Sequence, residues 1–266
     1  MGLDFPALLA DLAWETDRLT ETLAALTEAH WEQPTPAAGW AVRDQVSHLA
    51  YFDDCAALAL ADPARFELDA ARLVAHGDNF PDLVAADSRG LPVAELFDWF
   101  GTARRHLLAA FAEQDPRRRL PWFGPPMSVA SSATARLMET WAHGRDIYDT
   151  IGATQPLGRG LRSVCHLGVS TFGFSHALRG LEVPQAPVRV ELTAPDTDAT
   201  WSWGPDDATD RITGPAEDFA LVVTQRRHPL DTALTITGPV ARSWATIAQA
   251  FAGAPGPGRP PTEGRS

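Results

Sequence analysis

Apolar positions recur at spacings of three, four and seven through the first half of the chain and alternate in parts of the last third, so a helical region precedes a mixed one. Residues 3–29 place Leu8, Leu9, Leu12, Leu19, Leu23 and Leu26 on one face, which predicts an amphipathic helix. Pro34, Pro36 and Gly39 interrupt that pattern, and a second helix is expected over 42–61 with Val42, Val46, Leu49 and Leu60 as its stripe. Residues 62–90 read as an irregular excursion with short helical pieces. A third helix is expected over 92–113, burying Leu96, Phe97, Phe100, Leu107, Leu108 and Phe111 and turning Arg104, Arg105 and His106 to solvent. In the loop after it, Trp122, Phe123, Pro125, Pro126 and Met127 fit either a pocket wall or a cover packed over the bundle end. Ser128 or Ser131 caps a fourth helix, which carries Leu137, Trp141 and Tyr148 on one side and Glu139, His143, Asp146 and Thr150 on the other.

After Gly152 the pattern changes. A helix over 157–181 leads into alternating residues at 188–193, a turn at 195–198 and a returning strand at 200–203, the signature of a hairpin. A short strand at 211–214, a helix from Pro215 to about residue 225, a strand at 232–238 and a last helix from Pro239 through Phe251, closed by Gly253, complete the pattern. The expected fold class is a two-domain α+β chain: a four-helix bundle over 1–152, a small α+β domain over 153–254, and a proline- and glycine-rich mobile tail over 255–266. With 266 residues and 45% hydrophobic content, two modest cores are within reach.

Charge narrows the partners. A net charge of -12 disfavours nucleic acid and anionic membrane surfaces. No apolar run approaches the ~18 residues of a membrane span, and the N-terminus lacks the basic start of a signal peptide, so a cytoplasmic protein is expected. Cys55 and Cys165 are too few for a disulfide framework, which fits a reducing compartment. The chain contains no lysine, which excludes Schiff-base chemistry on that residue.

The chemistry concentrates in Arg136 to Asp149. Glu139 and His143 are one helical turn apart, a rise of about 6 Å, so both leave the same face. Carboxylate and imidazole are ordinary ligands of zinc and similar divalent ions. The third ligand proposed by the pattern is His48, which keeps company with Tyr51, Phe52 and Cys55 on the second helix. Two readings stand at this point: a core histidine bonded to Asp44, or a metal ligand whose tautomer Asp44 fixes. Likewise the Glu139/His143 stripe fits a solvated face as well as a ligand pair, although the small Ala135 and Ala142 beside it permit close approach of another helix. Cys55, about 10 Å along the helix from His48, reads as a packing residue. Asp146 reads as either an orienting group for His143 or a surface aspartate.

These segments resemble a known family. Gly39 to Asp44 leading into His48, followed about ninety residues later by Glu139-Thr140-Trp141-Ala142-His143, is similar to the DinB-like metal-binding four-helix bundles. Within them the chain resembles the mycothiol-dependent maleylpyruvate isomerase group over residues 1–150. The resemblance implies a zinc-type ion on His48, Glu139 and His143 with positions open to water or substrate, and mycothiol as a thiol co-substrate. It also implies an isomerase or S-transferase acting on a small organic acid or electrophile. Such an ion lowers the pKa of a thiol or a water, so a metal-dependent hydrolase is the alternative of a different class, and a non-catalytic ligand-binding module is the third. The later part is similar to the sterol-carrier-like domain of that group. In it, Val223-Thr224-Gln225-Arg226 matches the place of a functional arginine, with Gln225 standing where the group has glycine and Arg227 following as a competitor. The cleft is expected where the second domain meets the metal end of the bundle.

Overall fold

In a computed structural model of the chain, residues 4–195, 197 and 199–262 are described. They divide into two compact units, 1–156 and 157–266.

The first unit contains α1 (Phe5–Ala24), α2 (Glu28–Trp31), α3 (Val42–Ala61), α4 (Pro63–Val74), α5 (Phe80–Asp87), α6 (Val93–Ala112), a two-stranded ribbon of β1 (Arg119–Leu120) and β2 (Met127–Ser128), and α7 (Val129–Ile151). The four long helices α1, α3, α6 and α7 form the bundle. Several ends have plain causes. Asp4 caps α1 by accepting from the Ala7 N–H, and Asp62, followed by Pro63, caps α4 by accepting from Arg65. Ser128 caps α7, accepting from the Ser131 N–H at 3.0 Å, and Gly152 ends it in the left-handed region at φ 66°.

The expected first helix is shorter than its stripe. It stops at Ala24, and Leu26 packs onto the core from the turn before α2. Residues 62–90 are more regular than expected, because α4 and α5 occupy most of them.

The bundle core is layered. Leu8, Leu12, Ala56, Leu60, Leu107, Phe111, Ala133 and Leu137 form one apolar cluster, and Leu19, Leu23, Val42, Val46, Leu49, Phe100 and Ile147 form another. Between them each helix contributes a polar residue: Thr16 from α1, Asp53 from α3, Arg104 from α6 and Thr140 from α7. Arg104 joins all four. It donates from Nε and Nη2 to the two Asp53 oxygens at 2.6 and 3.2 Å, from Nη1 to Thr16 Oγ1 at 2.6 Å, and from Nη2 to Thr140 Oγ1 at 3.0 Å. The expectation that Arg104 faces solvent is therefore corrected. It sits in the row Phe100, Arg104, Leu107, Phe111 and is 1% exposed, held there because a carboxylate and two hydroxyls satisfy its donors.

The second unit contains α8 (Leu161–Ser170), α9 (Phe172–Ala177), β3 (Val188–Thr193), β4 (Thr200–Trp203), β5 (Asp210–Pro215), α10 (Ala216–Val223), a 3₁₀ turn (Pro229–Asp231), β6 (Thr235–Thr237) and α11 (Pro239–Ile247). The sheet order is β4-β3-β5-β6, with β3 antiparallel to β4, parallel to β5, and β5 antiparallel to β6. Val190, Leu192, Ile212, Phe219, Val223 and Trp244 are buried in its core.

The single helix expected over 157–181 is broken at Thr171. The last helix ends at Ile247, and Ala250 instead donates its N–H to the Val223 carbonyl at 2.8 Å. The turn expected at 195–198 lies partly outside the described residues, as does the end of the tail beyond 262. Within the tail, Gly256 accepts from Arg179, and the Thr262 N–H donates to Asp231.

Asp210 is buried in β5 and accepts from the Ala241 N–H in the first turn of α11 at 2.9 Å. Gly238, at φ 85°, lets that contact form, since a Cβ there would lie 2.3 Å from Asp210 Oδ1.

Candidate metal centre

His48 on α3 and Glu139 and His143 on α7 converge inside the first unit. One donor atom from each falls within 4.8 Å of the others, so the group could hold a metal ion. Glu139 Oε2 is 2.9 Å from His143 Nε2 and 3.5 Å from His48 Nε2. Side-chain exposure is 12% for His48, 18% for Glu139 and 11% for His143, which rules out a solvated stripe. Phe52 packs on the His48 ring at 4.5 Å between centroids, and Trp40 stacks on His143 at 5.9 Å with an interplanar angle of 17°.

A directional hydrogen-bond chain sets the tautomer of His143. The Thr35 hydroxyl donates to the Trp40 carbonyl at 2.9 Å, so its oxygen is free to accept from Gln45 Nε2 at 2.8 Å. That fixes the Gln45 amide with Oε1 toward His143 Nδ1, at 2.5 Å. Nδ1 therefore carries the hydrogen, and Nε2 presents a lone pair to a carboxylate oxygen. Two acceptors facing each other at 2.9 Å need a cation between them. A proton on His143 would serve that pair alone. A divalent ion would also engage His48, whose Nε2 faces the same carboxylate oxygen.

The electrostatics agree with ligands in their metal-ready forms. Burial, followed by the charge of His143, pushes the His48 imidazole down to about 3, so it stays neutral. Burial alone would raise the Glu139 carboxyl, but the hydrogen bonds and charges of His143 and His48 outweigh it and hold the group well below the usual carboxylate range. A neutral His48 and an ionised Glu139 are forms in which a zinc-type ion takes these two ligands. The donor set therefore fits such an ion.

The remaining residues singled out by the sequence lie as follows. Asp44 does not bond His48. It accepts from the Ala41 N–H at the start of α3 and from Arg89 at 2.9 and 3.1 Å. Asp146 is fully buried rather than a surface aspartate. Phe123 lines a cavity of about 300 Å³ with Tyr51, Cys55, Phe66 and Trp99, while Trp122 stacks on Phe66 at 5.6 Å. The Cys55 thiol at that cavity is pushed up to about 12 by burial, so it stays protonated. Arg226 follows α10 in the second unit and donates to the Thr224 carbonyl at 2.8 Å; Arg227 donates to the Arg226 carbonyl. Gln225, between Thr224 and Arg226, has φ 58°, the backbone conformation glycine adopts most readily.

Sequence reasoning missed Thr35 and Gln45. Gln45 lies one turn before His48 on the same helix, which is a usable signal for a polar residue beside a ligand. Nothing in the periodicity marks Thr35.

A helical bundle carrying a buried histidine, glutamate and histidine able to hold a metal ion defines the class. A family model described as the mycothiol maleylpyruvate isomerase N-terminal domain matches residues 12–148, and the chain belongs to that family. A second model, described as wyosine base formation, matches residues 184–237. Two uncharacterized proteins, from two strains of Mycobacterium tuberculosis, are each 46% identical over 252 residues, covering 94% of this chain and 97% of theirs. Among solved structures, the mycothiol-dependent maleylpyruvate isomerase is similar at a TM-score of 0.57, and a histidine-to-alanine mutant of it at 0.58. Both matches cover 84% of this chain and 90% of theirs at 14% identity, a likeness of fold.

Proposed function

We propose that this protein is a divalent-metal-dependent enzyme, with zinc the natural occupant. It works with a low-molecular-weight thiol of the mycothiol type, as an isomerase or S-transferase on a small organic acid or electrophile. The observation that carries the reading is the Thr35-Gln45-His143 chain, which ends on a lone pair aimed at Glu139. Membership of the family supports the thiol. When bound, the ion supplies a Lewis-acidic centre that lowers the pKa of a thiol. His48, Glu139 and His143 hold it, Gln45 keeps His143 in the ligating tautomer, and Trp40 and Phe52 cover the rings against water. Arg226 is assigned the recognition of an acidic group from its place in the resembled segment, where Gln225 adopts the glycine-like backbone of the position before it.

Elemental analysis of the purified protein beside His48→Ala, Glu139→Ala and His143→Ala tests the centre. The wild type is expected to carry about one divalent ion per chain and each variant to lose it. Retention at wild-type stoichiometry by all three removes the site. Turnover of electrophiles and cis-unsaturated acids should require added thiol. Ester or amide hydrolysis without thiol, abolished by His48→Ala, would make the protein a hydrolase instead. Arg226→Ala should raise KM for an acidic substrate with metal content unchanged.

A further inference from the structure

One buried charge in the bundle is not accounted for by the ligand set. Both oxygens of Asp53 are engaged by the fork of Arg104. Arg136, on α7, lies against the same carboxylate, with Nε 3.1 Å from Asp53 Oδ1, but it is not aligned to donate. Neither Nε nor Nη2 of Arg136 has a hydrogen-bond partner among the described residues, although the residue is only 3% exposed. A guanidinium stays charged at every relevant pH, and its buried donors are costly to leave unpaired. Arg136 is one turn before Glu139 in the row Arg136, Glu139, His143, and its charge reaches His48 across the helix pair. The carboxylate beside Arg136 is shared with Arg104, whose fork already takes both of its oxygens.

We propose that Arg136 is the anion receptor of the centre: its unused N–H donors bind the anionic group, thiolate or carboxylate, of the ligand that enters the open coordination positions. The inference rests on the metal-centre reading and adds a residue to it. It also separates two effects of opposite sign. Removing a positive charge beside a cation leaves metal affinity equal or higher, while anion affinity falls. A merely structural arginine would lower thermal stability and metal affinity together and leave anion affinity of the loaded protein alone.

The test uses the full chain loaded with cobalt(II), whose visible absorption reports coordination without any turnover. The wild type, Arg136→Met and Arg136→Lys are titrated separately with 2-mercaptoethanol and with acetate. Arg136→Met is expected to hold stoichiometric cobalt and to bind at least one of the two probes about tenfold or more weakly, with Arg136→Lys between it and the wild type. The probe that weakens identifies thiolate or carboxylate as the group received. If Arg136→Met does not fold, the Lys variant carries the test, since it keeps the charge and loses the fork. Unchanged affinity for both probes in a cobalt-loaded variant overturns the role of Arg136. A wild type that takes up no cobalt overturns the metal-centre reading itself, and the present inference with it.

Discussion

Two polar clusters lie side by side in the bundle, meeting at the consecutive α7 residues Glu139 and Thr140, and they are built on opposite rules. Around Arg104, donors meet acceptors: the carboxylate of Asp53 and the hydroxyls of Thr16 and Thr140 receive its N–H groups, and the Thr140 hydroxyl donates on to the Arg136 carbonyl at 2.7 Å. Around Glu139 the pattern is left open: Gln45 takes the Nδ1 hydrogen of His143, so Nε2 and the facing carboxylate oxygen must share a cation. A closed network fixes helix positions without help. An open one specifies what must arrive. The contrast shows that burial alone does not mark a functional site; the unspent valence does.

The largest expected effect breaks the closed cluster. Asp53→Ala leaves Arg104 and Arg136 buried without a carboxylate and should cost about 3–5 kcal/mol in urea unfolding, enough to threaten the fold. Next is a third buried polar group, Glu15, whose carboxyl burial pushes up to about 7 while the hydrogen bond from Gln155 pulls it back in part. Its folded value lies above the ordinary 4.5, so the native state holds the extra proton between those values. Stability should fall as pH rises from about 4.5 to about 7, by up to about 3 kcal/mol, and Glu15→Gln should flatten that slope in pH-dependent melts. A third change weakens the open cluster from behind. Gln45→Leu removes the acceptor for His143 Nδ1 and should reduce metal affinity about 10- to 100-fold by competitive chelator titration. The smallest effect on stability is the most diagnostic. Glu139→Gln gives His143 Nε2 an amide donor, so the metal-free variant should be as stable as the wild type or up to about 1 kcal/mol more so while retaining no metal. A large loss of metal-free stability would place Glu139 in the closed class instead.

Much of the fold was legible from periodicity. The second helix was read to its ends because Pro34, Pro36 and Gly39 punctuate the chain before a clean stripe from Val42 to Leu60. The shared face of Glu139 and His143 was legible because a one-turn spacing on a helix is a geometric statement, and His48 converges on it from α3. Arg104 was not, since its charge outweighed its place in an apolar row, and only the partners on three other helices explain its burial. The regularity of 62–90 was hidden among small residues, although Asp62 before Pro63 is a helix-start signal. The chain from Thr35 through Gln45 could not be read at all. Its sense depends on which way an amide turns, and sequence spacing says nothing about that.

Trp40 gives the centre an optical handle. Its indole lies 5.3 Å from the His48 ring and 5.9 Å from the His143 ring, close enough for emission to respond when those rings take up an ion. The chain has nine tryptophans, so the response is read as the difference between wild type and Trp40→Phe during a copper(II) titration. Quenching shown by the wild type and lost in Trp40→Phe would report occupancy directly, in a protein whose substrate need not be known.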